Sequence, residues 1–414
     1  MDQQVEQQLS VKSANFDAAY IEKALAQAYS SESLRVESFD SQAISQSGEN
    51  FCSVIYRVKV AYRKSANAPL VHGSYIVKDL IPFMAELGSN EKLMFEQLLP
   101  AMDQVLAKAT LQHDKKLSAN CLFVERSKGK EIYLLEDLGA LNYSSLNTLA
   151  FKGLSVEDAR ICLFKLAQFH ASSMVLLQEQ PTLAAKLAPS HYAKGVNDGF
   201  SQALVLDAVT FAAEIVKDFP GMSEIAEKMK AQIASEYSRR IIDVVDPKNC
   251  DFKVIAHGDI WLNNLMINRD TQNAVIVDFQ NCFVGSPAVD LHFLFYTSLQ
   301  LELLLNEQQS LLQYYLDSLC QTLKDCNYQG SFPTFPLLEQ EMKRCLFYGY
   351  YAAVCELPIC CASKEAASDF TAHTFANNEA MLAKRHQLYA SERVRETLKA
   401  TLPQFEEQGI LEPL

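Results

Sequence analysis

The rhythm of hydrophobic and polar positions changes once along this chain, and the change divides it. Phe16 to Ala28 repeats apolar side chains at helical spacing. LRVESFDSQAIS, FCSVIYRVKVAYR and HGSYIVKDL, beginning at Leu34, Phe51 and His72, carry the β-branched and aromatic content of three successive strands. Met84 to Leu99 reads as a helix stopped by Pro100. NCLFVERS and EIYLLEDL then predict two more strands around a turn at Ser127 to Lys130.

Past Gly139 the pattern turns helical. Ser155 stands three residues before Asp158 and is placed to cap a helix that continues through ICLFKLAQFHASSMVLL. Further helices are predicted across Gly199 to Val245, Ala288 to Cys326 and Leu337 to Ile359, with a hairpin interrupting them. The expected fold is α+β and two-lobed. Residues 1–138 form an N-terminal lobe of a five-stranded antiparallel sheet plus a helix, and residues 139–414 form a larger, mainly helical lobe. No internal repeat or low-complexity tract is visible.

Composition narrows the class. A 49% hydrophobic content over 414 residues suffices for a large core or two unequal ones. The polar opening MDQQVEQQLSVKS lacks the pattern of a secretory leader, and nothing approaches the roughly 18 uninterrupted apolar residues of a membrane span. Eleven scattered cysteines without a CxxC pair fit reduced thiols, so a cytoplasmic location is expected. A formal net charge of -13 argues against nucleic acid or an anionic membrane as partner.

The interrupting hairpin carries the chemistry: FKVIAHGDIWLNNLMINRDTQNAVIVDFQN, from Phe252 to Asn281. If Leu265 to Ile267 pairs with Val275 to Val277 across the turn Asn268 to Ala274, residue 265 faces 277. Continuing that register sets Asn264 opposite Asp278, with Cβ atoms about 4.5–5.5 Å apart. An amide oxygen and a carboxylate converging on one point suit Mg²⁺, which completes its shell with water and phosphate oxygens. Asp259 lies near enough to stand beside the metal yet free to accept a proton from an attacking hydroxyl, as base or orienter. His257 is read as structural, bonding backbone around the metal aspartate. A lone Asp or Asn in a turn more often bends the backbone, as Asn268, Asp270 and Asn273 are expected to do. The set at the edges of apolar strands is what points to a site.

HGDIWLNN followed by VDFQN resembles the H-x-D-x-x-x-x-N and following Asp of aminoglycoside phosphotransferases and choline kinases. With Trp261, SPAVDLHFLFYTS and LAQFHASS added, the chain looks most like the ecdysteroid kinase-like family, from about Phe51 to Pro358. That resemblance implies a protein-kinase-like fold and transfer of the γ-phosphate of ATP, with Mg²⁺, to a hydroxyl of a small molecule such as an ecdysteroid. It places Gly48 and Asn50 at the bend of a phosphate-covering hairpin and Ser53 near the phosphates. The stretch holds one glycine, so the G-x-G-x-x-G of protein kinases is absent. Lys78 matches the strand lysine that pairs with the α and β phosphates, and Glu91 its ion-pair partner. A solvated lysine on an edge strand is the competing reading of Lys78. Glu136 and Leu138 fall where hinge backbone meets adenine. Asp290 matches an aspartate that braces the catalytic loop, and His170 is read as a satisfied core histidine under it. Trp261 either walls the acceptor site or packs. The catalytic pair is then Asp259 and Lys78, with Asn264 and Asp278 on the metal.

Eleven residues separate Asp278 from Asp290, too few for a long activation segment, and HGD lacks the arginine of HRD. A protein substrate is therefore not expected. FLFYTSLQLELLL and LFYGYYAAVCELPICC offer apolar and aromatic surface for a rigid hydrophobic acceptor. Three alternatives stand: a catalytically silent binder of a hydrophobic ligand, a choline- or ethanolamine-type kinase, and a metal-dependent hydrolase. The second stays open because sequence does not show whether the tyrosines cluster into an aromatic cage.

Overall fold

The computed structural model describes residues 16–44, 53–109, 115–233, 236–363, 366, 374 and 378–413. Strands β1 (Arg35–Ala43), β2 (Ser53–Arg63), β3 (Val71–Leu80), β4 (Cys121–Ser127) and β5 (Lys130–Glu136) form an antiparallel sheet in the order β1-β2-β3-β5-β4. Alternation along a strand sends neighbouring side chains to opposite faces. On one face, Val58, Val77 and Leu134 pack with Ile21, Ala24 and Leu25 of the helix Ala18–Ala28. On the other, Tyr133 and Leu135 join Phe95, Leu98 and Met102 in a core that runs on into the helical lobe. The second face carries Lys78 into the site, one residue along from Val77.

The helix expected over Met84 to Leu99 is differently built. Pro82–Leu87 forms a short helix, Gly88 breaks it, and a new helical run starts at Glu91 and continues through Pro100 to Lys108. Proline has no N–H to donate and its ring collides with the carbonyl four residues back. Here a π turn at Met94–Leu98 widens the helix just before Pro100, which relieves the collision without ending the helix.

In the second lobe, Ser155 accepts from Asp158 N at 3.3 Å and opens the helix Val156–Glu179. This helix is long and apolar enough to cross a membrane, but 78% of its most apolar window is buried inside the fold. Gln308–Asp325 belongs to the same core, and all twelve residues of Pro287–Ser298 are buried. Short strands form the platform of the site: β6 (Ser144–Ser145), β7 (Val254–Ala256), β8 (Leu265–Asn268), β9 (Asn273–Ile276) and β10 (Phe283–Gly285). β6, β8 and β9 make one sheet, and β7 pairs with β10 in another. β7 and β10 are three residues each, too short for alternation to be recognised in the sequence.

Candidate active site

The hairpin register differs from the expected one by a single residue. β8 pairs with β9 as Leu265↔Ile276, Met266↔Val275, Ile267↔Ala274 and Asn268↔Asn273. Asn268 Oδ1 accepts from Asp270 N at 3.0 Å and Thr271 N at 3.2 Å. This side-chain turn tightens the loop and draws Asn268 and Asn273 into the ladder. Asn264 consequently faces Val277, whose N–H donates to Asn264 O at 3.0 Å. A one-residue slip ordinarily sends side chains to the opposite face. Asp278, however, lies past the strand end at φ 68°, a left-handed conformation that non-glycine residues seldom adopt. That turn of the backbone returns its carboxylate to the site, and Asn264, Asp278 and Asp259 line one cavity of about 950 Å³.

Lys78 sits on β3, an interior strand between β2 and β5, so the reading of it as a solvated edge lysine does not hold. Its Nζ is 2.7 Å from both carboxylate oxygens of Glu91 and 2.8 Å from Asp278 Oδ1. Burial alone would lower the ammonium's pKa, but the Asp278 and Glu91 carboxylates outweigh it and hold the pKa above its ordinary value. Glu91 Oε1 also accepts from Phe279 N at 3.2 Å. One carboxylate from the first lobe therefore grips both the strand lysine and the backbone beside Asp278.

Asn264 Nδ2 donates to Asp259 O at 2.8 Å and to Asp259 Oδ2 at 3.2 Å. Burial, followed by the charges of Asp278 and Glu356, raises the Asp259 carboxyl well above the usual carboxylate range, against the Asn264 hydrogen bond. Because the Asn264 amide nitrogen is spent on Asp259, its oxygen is left for another partner. That oxygen and the Asp278 carboxylate are hard donors of the kind Mg²⁺ takes, few enough to leave room for water and phosphate. Among the described residues no group of three or more His, Cys, Asp or Glu gathers as a metal cage.

The loop carrying Asp259 is held from below. Asp290 Oδ2 accepts from His257 N at 2.7 Å and lies 2.9 Å from His170 Nε2, while Oδ1 accepts from Gly258 N at 2.8 Å. His170 Nδ1 in turn meets Tyr315 Oη at 2.7 Å. His257 Nε2 lies 3.1 Å from Val277 O, next to Asp278. Burial lowers the His257 pKa, and because a carbonyl oxygen only accepts, it is Nε2 that carries the proton donated to Val277 O. Gly258 has φ 80°, and a Cβ there would stand 2.4 Å from Asn281 O, a place only glycine fills.

Of the remaining sequence candidates, Ser53 and Trp261 line the cavity. Ser53 is buried, and Trp261 is half-buried against the core. Glu136 and Leu138 do not line it. The Glu136 carboxylate meets Lys116 Nζ at 2.7 Å and Asn120 N at 3.0 Å, and Leu138 is buried at the start of a 3₁₀ turn. Gly48 and Asn50 lie outside the described residues.

Two features escaped the sequence reading. Asn90 sits where an N-cap would be, but its side chain caps nothing. It donates instead to Cys282 O at 2.7 Å and Ala188 O at 3.1 Å and accepts from Ala188 N at 3.0 Å, clamping the first lobe to the second. Glu356, Tyr351 and Tyr192 line the cavity too. A single acid inside the apolar run LFYGYYAAVCELPICC was the signal available for that group.

The pattern of the ecdysteroid kinase-like family matches residues 47–328. No curated protein matches the chain. Similar solved structures include a Plasmodium vivax ethanolamine kinase, at 13% identity over 95% of this chain and 94% of that one, with a TM-score of 0.44. Another is a macrolide 2'-phosphotransferase type I, at 14% identity over 91% and 99%, with a TM-score of 0.38. At those scores neither neighbour bears on the activity.

Proposed function

Because the chain belongs to the ecdysteroid kinase-like family and is a small-molecule kinase, we propose that it moves the γ-phosphate of Mg·ATP to a hydroxyl of a steroid alcohol, such as an ecdysteroid, in the cytoplasm. One observation carries this reading: the Lys78 ammonium lies 2.8 Å from Asp278, and Asp278 shares its cavity with Asn264 and Asp259. A cation for phosphate, two oxygen donors for a metal and a carboxyl for a hydroxyl are thus within one site. In this reading the lobes meet at Leu138, and the backbone of Glu136 and Leu138 borders the adenine. Gly48, Asn50 and Ser53 cover the phosphates.

Lys78, oriented by Glu91, holds the α and β phosphates, and Asn264 and Asp278 hold Mg²⁺. The bound metal supplies positive charge to the phosphoryl oxygens. Asp259 orients the acceptor hydroxyl for in-line attack and takes its proton. Asp290, His257 and His170 keep that loop in place, and Trp261 walls the acceptor. Met84, Leu204, Phe293 and Ile359 line the same cavity and suit an apolar acceptor body.

A second reading, a choline- or ethanolamine-type kinase, is favoured by the grouping of Tyr192 and Tyr351 with Glu356 on the wall of the cavity that Trp261 also lines, since aromatic faces beside an acid attract an ammonium. The silent-binder reading leaves the assembled set of Lys78, Asp259, Asn264 and Asp278 without a purpose.

Asp278→Ala is expected to abolish Mg·ATP binding with the fold intact, whereas Asp259→Asn keeps nucleotide binding and loses transfer. Equal loss of nucleotide affinity in both variants would overturn the roles. A panel of hydroxylated sterols, choline, ethanolamine and aminoglycosides, read by phosphate transfer, decides the acceptor.

A further inference from the structure

Glu356 is the only charged residue between Leu346 and Cys361. A carboxyl in so apolar a run needs a partner or a use, because burying it unpaired is costly. Its position follows from the backbone. Pro358 cannot donate to the carbonyl of Val354, and the helix widens into a π turn at Ala352–Glu356 just ahead of the proline. The carbonyl released in this way accepts from Tyr389 Oη at 2.7 Å. The turn is therefore held in place from outside the helix, and Glu356 closes it on the cavity wall.

The carboxyl is only half satisfied there. Tyr351 Oη donates to Glu356 Oε1, and Tyr351 Oη lies 2.7 Å from Tyr192 Oη. Among the described residues no lysine or arginine forms an ion pair with it, and its other oxygen has no hydrogen bond. Burial raises the carboxyl to about 7. It stands close enough to Asp259 for its charge to act on that group. Asp198, Asp259 and Asp278 line this cavity as well, so Glu356 faces it from the helical wall while Asp259 faces it from the loop after β7. Phe293, Leu204 and Ile359 supply apolar lining to the same cavity.

We infer that Glu356, presented by Tyr351, selects acceptors that carry a second hydrogen-bond donor besides the hydroxyl receiving phosphate. The inference rests on the phosphotransfer reading and adds a specificity determinant to it. Asp259 engages the reacting hydroxyl, while the open oxygen of Glu356 accepts from a second hydroxyl or an N–H on the same molecule. An acceptor lacking that donor leaves a desolvated carboxyl unpaired, which penalises it more than the missing contact alone.

The test measures phosphate transfer to matched pairs: a polyhydroxylated sterol against its monohydroxylated counterpart, and ethanolamine against choline, which has no N–H. In whichever pair is accepted, the wild type is expected to favour the donor-bearing member in kcat/KM by roughly 10- to 100-fold. Glu356→Leu brings that ratio close to one, mainly through the acceptor KM, while the KM for Mg·ATP holds. Glu356→Asp restores part of it, and Tyr351→Phe lowers it. A merely structural Glu356 would depress both members equally and leave the ratio untouched, and that result overturns the inference, as does a wild type without preference. Should Glu356→Leu fail to fold, an unchanged ratio in both Tyr351→Phe and Glu356→Gln overturns it. If the enzyme binds Mg·ATP yet phosphorylates nothing in either pair or in the wider panel, the phosphotransfer reading itself fails and takes this inference with it.

Discussion

Asp290→Asn tests how the loop carrying Asp259 is held. The carboxylate is fully buried and serves three groups: His257 N and His170 Nε2 on one oxygen, Gly258 N on the other. Asparagine offers one oxygen and one NH₂. With its oxygen toward His257, its NH₂ confronts the Gly258 N–H; flipped, it confronts the His257 N–H. His170 can adapt by changing tautomer, but one backbone N–H is orphaned either way. An orphaned buried donor costs about 1–3 kcal/mol, and losing the charge on the remaining bonds brings the total to roughly 3–5 kcal/mol. That is a large share of the 5–15 kcal/mol typical of a folded domain. Asp290→Ala orphans more groups and approaches the whole of it, so Asn is the informative change. Trp261 is the sole tryptophan and lies in the supported loop, which makes its fluorescence a local reporter during urea unfolding. The expected outcome is a lower urea midpoint, an altered Trp261 emission in the folded state, and a kcat reduced by about 100-fold through misplacement of Asp259. A variant with the wild-type midpoint and emission would refute this account of the loop.

Gly258→Ala forces a Cβ to within 2.4 Å of Asn281 O at φ 80°. It should cost at least about 2 kcal/mol and most of the transfer activity, and wild-type kinetics would contradict it. His292 is buried, its Nε2 2.7 Å from Met342 O, and burial lowers its pKa from 6.5 to about 4. The unfolded chain therefore takes up the proton first as pH falls, so this contribution is complete above about 6.5 and is lost toward 4. The loss between pH 7 and 5 is about 2 kcal/mol. His292→Gln should flatten the pH dependence of unfolding by that amount, and equal slopes would count against it. Tyr389→Phe deprives the Val354 carbonyl of its donor and should lower stability by about 1 kcal/mol, read from the urea midpoint.

Periodicity and residue type are properties of neighbours along the chain, and what depends on neighbours was legible. The five strands of the first lobe, the capped helix after Ser155 and the grouping of His257, Asp259, Asn264 and Asp278 within one hairpin all follow from local pattern. Pro100 was misread because a proline's effect depends on whether the preceding turn can widen, and local propensity favours an end. The hairpin register was misread because two registers one residue apart differ little in backbone bonding. The choice fell to the Asn268 side-chain turn and to the packing beneath it. Contacts between distant parts of the chain leave no local trace. Lys78 reaches Asp278 across 200 residues, and Tyr192 meets Tyr351 across 159. The sequence alone thus determined which chemical groups exist and which elements carry them. Tertiary packing alone decided which of them share a cavity, because bringing together such distant residues depends on the burial of the whole core and not on the preference of any one segment.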